Sequence, residues 1–201
     1  MKRTGLLALV ALLSGCTSSV ECDVLRLHAL PPPSGETIAV VADRADGASL
    51  EFASYRQMIE MKLQSVGYKP VPAGNALLQA RTSYSVERAP DRISTYYPVC
   101  SHHYYFVRGR WVLPSWNRYD CWNWPVEERT PQYSRELRID IVRSADPAGA
   151  HLFEGRVKSL GLSDRLSEVM PYLVTAMFTS FPGESGSWKT VTISEDQVAA
   201  P

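Results

Sequence analysis

Leu137-Arg138-Ile139-Asp140-Ile141, then Asp146-Pro147-Ala148-Gly149, then Phe153-Glu154-Gly155-Arg156-Val157-Lys158 is the stretch that decides the class of fold. Charged and apolar residues alternate in both outer runs. Successive side chains of a strand point to opposite faces, so each run presents one apolar and one wet face. The four residues between them carry Asp, Pro and Gly in the order a type I turn favours. The pattern predicts an antiparallel hairpin with limbs at Tyr133–Arg143 and His151–Leu160. Outward from it, Ala76–Glu87 repeats the alternation, with Leu78, Ala80, Thr82, Tyr84 and Val86 on one face. Thr37–Ala42 reads as a buried strand, Val24–His28 as a brief first strand and Trp188–Ile193 as a short last one.

Two amphipathic helices lie between these strands. Ser49 is a natural N-cap, and Glu51 suits the positive end of a helix. Phe52, Tyr55, Ile59, Leu63 and Val66 then form one apolar stripe. Gly67 stands where a helix-ending glycine belongs, and Pro70 bars continuation. A second helix is expected over about Asp164–Phe181, with Leu166, Val169, Met170, Leu173, Val174, Met177, Phe178 and Phe181 on a wide core-facing side. Pro171 either lies in its first turn or kinks it. The order of elements predicts an α+β fold: a single, mostly antiparallel sheet with two helices packed on one face.

The first residues are an address. Lys2 and Arg3 precede an apolar run at Leu6–Leu13, and Ser14-Gly15 sets two small residues before Cys16. That is the layout of a secretory signal. The run is far shorter than the roughly 20 residues that span a bilayer. Leu13-Ser14-Gly15-Cys16 also has the form of a bacterial lipobox, whose cysteine takes a diacylglycerol before cleavage. The expected organisation is a lipoprotein signal peptide over 1–15 and a lipidated tether over 16–23. A single domain over 24–193 follows, with an aromatic-rich insertion at 90–131, and then a flexible tail over 194–201. Thr17, where Asp would favour inner-membrane retention, points to the periplasmic face of the outer membrane of a Gram-negative bacterium. The membrane is the first expected partner, through the lipid on Cys16.

Composition narrows the rest. Lys and Arg number 21 against 21 Asp and Glu, with no basic run. Nucleic acid is therefore not an expected partner, because phosphate backbones require concentrated positive charge. Of the 4 cysteines, Cys16 is taken by lipid. In an oxidising compartment Cys100 and Cys121 are the expected disulfide, which contributes roughly 3 kcal/mol by loop entropy. Cys22, close to the anchor, is left free or paired between molecules.

Certain landmarks resemble a known family. They are Gly35-Glu36-Thr37-Ile38-Ala39-Val40, Ser49-Leu50-Glu51-Phe52-Ala53-Ser54-Tyr55 and Gly67-Tyr68. Met170-Pro171-Tyr172-Leu173-Val174, Ala176-Met177-Phe178 and Phe181-Pro182-Gly183-Glu184-Ser185-Gly186 follow. Together they are similar to the bacterial lipoprotein family of domain of unknown function 4136, over about Val24–Val191. The resemblance implies a lipid-anchored envelope protein and carries over no catalytic residue. Members often have a glycine- and aromatic-rich middle; here that middle holds few glycines and two cysteines.

The middle segment is the compositional anomaly. Tyr96, Tyr97, Tyr104, Tyr105, Phe106, Trp111, Trp116, Tyr119, Trp122 and Trp124 are half of the chain's aromatics, with Arg92, Arg108, Arg110 and Arg118 among them. The plainest reading is a long β-hairpin whose aromatics pair across strands. The alternatives are a protein-binding surface and a platform for sugar rings. Binding residues on the latter readings are Tyr104, Trp111, Trp116, Trp122 and Trp124. Cys100, His102, His103 and Cys121 invite a metal, but neighbouring histidines on a strand diverge and a disulfide consumes both thiols. Neither metal nor cofactor is expected. Gly183-Glu184-Ser185-Gly186 lacks the spacing and the strand-to-helix setting of a nucleophile elbow. Asp140 and Glu154 could meet across the hairpin, yet Arg138 and Arg156 beside them predict a solvated salt-bridge face. The expectation is a non-catalytic domain that contacts an envelope protein or glycan; the alternative is an enzyme acting on envelope glycan or peptide.

Overall fold

The structure is a computed structural model that describes residues 18–43, 49–96, 105–112 and 126–199. In chain order it contains β1 (Ser19–His28), β2 (Thr37–Ala42), α1 (Leu50–Ser65), β3 (Lys69–Pro70) and a 3-10 turn at Ala73–Asn75. Then come β4 (Leu78–Tyr96), β5 (Tyr105–Val107), β6 (Arg110–Val112), β7 (Val126–Arg143) and β8 (Phe153–Gly161). The chain continues through α2 (Leu166–Phe178), β9 (Trp188–Ser194) and α3 (Glu195–Ala199).

Seven strands form one curled sheet, a half-barrel in the order β3-β2-β4-β7-β8-β1-β9, and β5 with β6 forms a second. This corrects the expected single, mostly antiparallel sheet with two helices on one face. The large sheet is mixed, because β2 runs parallel to both β3 and β4. The chain leaves β2 through α1, and a helical crossover returns it to the starting end of the sheet, so the next strand runs in the same direction. A third, short helix follows β9.

The central hairpin has the register its alternation implies: Leu137 faces Val157, Ile139 faces Gly155 and Ile141 faces Phe153. Gly149 donates its N–H to the Asp146 carbonyl at 3.1 Å, closing the turn. Leu137, Ile139, Ile141, Phe153 and Val157 are buried against Met170, Leu173 and Met177 of α2 and Ile59 and Leu63 of α1. Each such side chain contributes roughly 1.5–3 kcal/mol by leaving water. Gly155 permits the close approach of α2: a Cβ there would stand 2.5 Å from Met177 Sδ.

Helix α1 starts where expected, the Ser49 hydroxyl accepting from the Phe52 N–H at 3.0 Å, and it buries Phe52, Tyr55, Ile59 and Leu63. Helix α2 begins at Leu166, so Pro171 lies inside it and not in its first turn.

Three boundaries move. Ser19–Asp23, expected within a tether, are the first half of β1, paired along their length by β9 and joined by β8 at Asp23. Glu195–Ala199, expected as tail, are α3, whose Val198 packs on the core. The insertion expected from Pro90 to Pro131 begins later and ends earlier, since β4 runs to Tyr96 and β7 starts at Val126. Ala89 pairs with Gln132 and Arg92 with Thr130, so Pro90 and Asp91 oppose Pro131 alone. Both prolines thus occupy one β-bulge, where a missing N–H is tolerated and the ladder resumes beyond.

Candidate functional site

Beyond the bulge, β4 and β7 continue as a two-stranded arm, Arg92–Tyr96 against Val126–Thr130. Ile93 and Tyr96 are exposed on it. The chain between Tyr96 and Val126 carries the small hairpin of β5 and β6. Its register pairs Phe106 with Trp111 and Val107 with Arg110. Arg108 and Gly109 have φ of 49° and 78°, the left-handed pair that a two-residue hairpin turn requires. Phe106 and Trp111 stack across the ribbon, with ring centroids 5.2 Å apart and tilted by 57°.

Among the described residues this pair packs on nothing larger: Phe106 is 62 % and Trp111 69 % exposed, and Val107 and Val112 are exposed too. Arg108 and Arg110 flank them, both exposed. The ribbon therefore offers an exposed aromatic face with cationic neighbours, suited to an interface or to phosphate and carboxylate recognition. Of the residues named from sequence, Trp111 stands on this face. Tyr104, Trp116, Trp122 and Trp124, the expected disulfide cysteines Cys100 and Cys121, His102, His103 and the expected lipidation site Cys16 lie outside the described residues.

Other candidates resolve into structure. Asp140 and Glu154 do face each other across β7 and β8, but Arg138 Nε donates to Asp140 at 3.0 Å and His151 Nδ1 meets Glu154 at 3.0 Å. Both carboxylates on that face are thus occupied by neighbouring side chains. Ser185 accepts the His28 backbone N–H at 3.2 Å, and the Gly183 carbonyl meets His28 Nε2 at 3.1 Å, so the loop after α2 is fastened to the end of β1. A cleft of about 510 Å³ opens between β2, the start of α1 and Pro70–Ala73. Its charged groups are Arg56 and Glu60, which pair with each other at 3.8 Å. Among the described residues no cluster of three metal-ligating side chains occurs and no helix is long and apolar enough to cross a membrane.

Three polar groups are buried with no local sequence signal for their burial. Arg26 donates to the carbonyls of Ala176, Met177 and Thr179 at 2.9–3.1 Å, and burial lowers its pKa. Arg135 is buried beside Cys22 and reaches the Ser163 carbonyl at 3.5 Å. Cys22, expected free or paired between molecules, is a fully buried free thiol, so pairing between molecules is excluded. Burial raises its pKa to about 12. Position 22 is core because β1 starts early, and no local signal in Thr17–Asp23 shows that.

The family described as Domain of unknown function (DUF4136) matches residues 27–183. No curated protein matches the chain. Among solved structures, a PDZ domain protein from Parabacteroides distasonis aligns with a TM-score of 0.51 at 17% identity, over 89% of this chain and 39% of that one. The present chain thus spans well under half the length of that protein. The PelC dodecamer from Paraburkholderia phytofirmans aligns with a TM-score of 0.36 at 14% identity, over 76% of this chain and 91% of that one. At these values the first likeness speaks to fold alone and the second supports no inference.

Proposed function

The chain belongs to the DUF4136 family, and on that footing we propose a lipid-anchored envelope protein that faces the periplasm and acts by binding, not by catalysis. The observation that carries the binding half is the exposed Phe106–Trp111 face with Arg108 and Arg110 beside it. Two large rings left in water on a small ribbon gain most of their favourable free energy only when something covers them. The anchoring half rests on Leu13-Ser14-Gly15-Cys16, with the outer membrane as destination because Thr17 follows the cysteine. The expected disulfide of Cys100 with Cys121 belongs to the same reading, since only an exported chain meets an oxidising compartment.

Radiolabelled palmitate tests the anchor. Wild-type protein takes up label and fractionates with the outer membrane, and Cys16→Ser loses both. An unlabelled chain that keeps Met1 in the cytosol overturns the proposal. A photocrosslinking residue at position 111 tests the binding face in living cells. An adduct with an envelope component is expected, and an adduct-free protein removes that face from consideration.

A further inference from the structure

The chain that carries the aromatic ribbon leaves the sheet at the same end as the amino terminus. Strands β1 and β7 are both antiparallel to β8, so they run in the same direction. Asp23 and Glu136 share the partner Lys158. Counting back along both strands, Ser19 lies level with Gln132, at the bulge. Everything from Pro131 to Val126 projects past the start of β1, by about 20 Å at roughly 3.3 Å per residue.

The amino terminus has little slack with which to avoid that arm. Helix α3 holds the chain as far as Ser18: the Ser18 carbonyl accepts the Glu195 N–H at 3.1 Å, and its hydroxyl donates to the Glu195 carboxylate at 3.0 Å. Cys16 is two residues further on, within roughly 7 Å even for a fully extended chain. Sheet twist of about 20–25° per strand turns β7 some 45° from β1. Measured from the level of Ser18, the arm still keeps about 12 Å of forward reach, more than the leash.

We propose that the partner of the aromatic ribbon is the phospholipid surface to which the chain is anchored. This rests on the acylation of Cys16. A lipid surface held within about 7 Å of Ser18 intersects an arm reaching about 12 Å past the same level. The covalent geometry thus brings the arm that carries the ribbon to that surface. The chemistry of the ribbon suits that depth: Trp and Tyr rings settle at the headgroup boundary, and arginines pair with lipid phosphates. Leu160 and Leu162, at the same end of the sheet, are also exposed. The lipid anchor and the ribbon then form two points of attachment that fix how the domain stands on the membrane.

The test uses lipidated protein reconstituted in phosphatidylethanolamine–phosphatidylglycerol vesicles, with or without acyl-brominated phospholipid as quencher. One chain keeps Trp111 as its single tryptophan, with Trp116, Trp122, Trp124 and Trp188 changed to Phe. A second keeps only Trp188, which pairs with Leu25 at the far end of β1. Brominated lipid should cut Trp111 emission by at least about twofold and leave Trp188 emission unchanged. Vesicle-bound protein with unquenched Trp111 overturns the inference and leaves the anchoring reading intact. Protein that neither takes up palmitate nor binds vesicles overturns both. In the unsubstituted lipidated chain, amide exchange across 105–112 should slow in protein-free vesicles. No slowing, or slowing only when a second protein is added, likewise overturns it.

Discussion

Arg26 is where local pattern and three-dimensional fact diverge most. Alternation in Val24-Leu25-Arg26-Leu27-His28 alone would put both leucines inside. The strand does the opposite: Val24 and Arg26 are buried, and Leu27 is 44 % exposed. The inward position meets the end of α2, where unpaired carbonyls concentrate partial negative charge. Arg26 satisfies three of them. A Cβ at Gly183 (φ 78°) would stand 2.6 Å from its Nη1, which gives the Phe181-Pro182-Gly183 sequence a packing reason. Arg26→Met keeps the stem and removes the donors, leaving buried carbonyls unpaired, and should cost roughly 2–4 kcal/mol in urea unfolding. A loss under about 0.5 kcal/mol would show that water replaces the guanidinium. Cys22 makes a second prediction at this scale. Its thiol is neutral in the folded protein and pushed up to about 12 by burial. A raised folded pKa gives stability that is complete below the unfolded value, near 9, and is lost as pH rises through the folded one. Wild type should therefore lose stability relative to Cys22→Ala between pH 9 and 12, and parallel curves for the two proteins would refute the assignment.

At the scale of elements, α1 was legible from composition and spacing because its signals are local. Ser49, the stripe of Phe52, Tyr55, Ile59 and Leu63, and Gly67 all lie within about five turns. Ser49→Ala should lower stability by about 1 kcal/mol, and Ser49→Asp should restore most of it; equal midpoints in thermal unfolding for all three would mean that the cap is idle. The long strands were only half legible. Pro90 and Pro131 each read as a strand end, since proline donates no ladder hydrogen bond. Their opposition at one bulge is a pairing across some forty residues of chain, which no window on either proline contains. β1 was cut short for a related reason. Ser19–Asp23 is polar outside Val20 and Cys22, and its strand character comes from its pairing with β9, far away in sequence. In the candidate site, composition marks Trp111, while its partner Phe106 is one aromatic among ten until the register brings the two together.

For the whole molecule, the decisive feature is that core and arm are separate structures sharing two strands. Among the described residues, the core cluster contains none between Glu87 and Ser134. The parallel β2 junctions, the central hairpin and the two larger helices all lie on the body side of the bulge. The crossover through α1 that makes the sheet mixed was present in the strand-helix-strand order of the first half. It was outweighed by the strong alternation of the second. Removal of the arm should therefore leave the fold standing. Ala89 and Gln132 are register partners, so excising 90–131 and joining them through Asn-Gly supplies a two-residue turn of the required hand. The shortened chain should unfold in a single transition within about 1 kcal/mol of the full-length protein in urea, because no core burial is lost. Any disulfide inside the excised segment constrains only that segment, so its removal leaves this balance nearly untouched. A molten far-UV-only signal, or loss of cooperativity, would mean that the arm nucleates the sheet. A cooperative body that still takes up palmitate but stands on vesicles without a fixed orientation would separate folding from attachment within one chain.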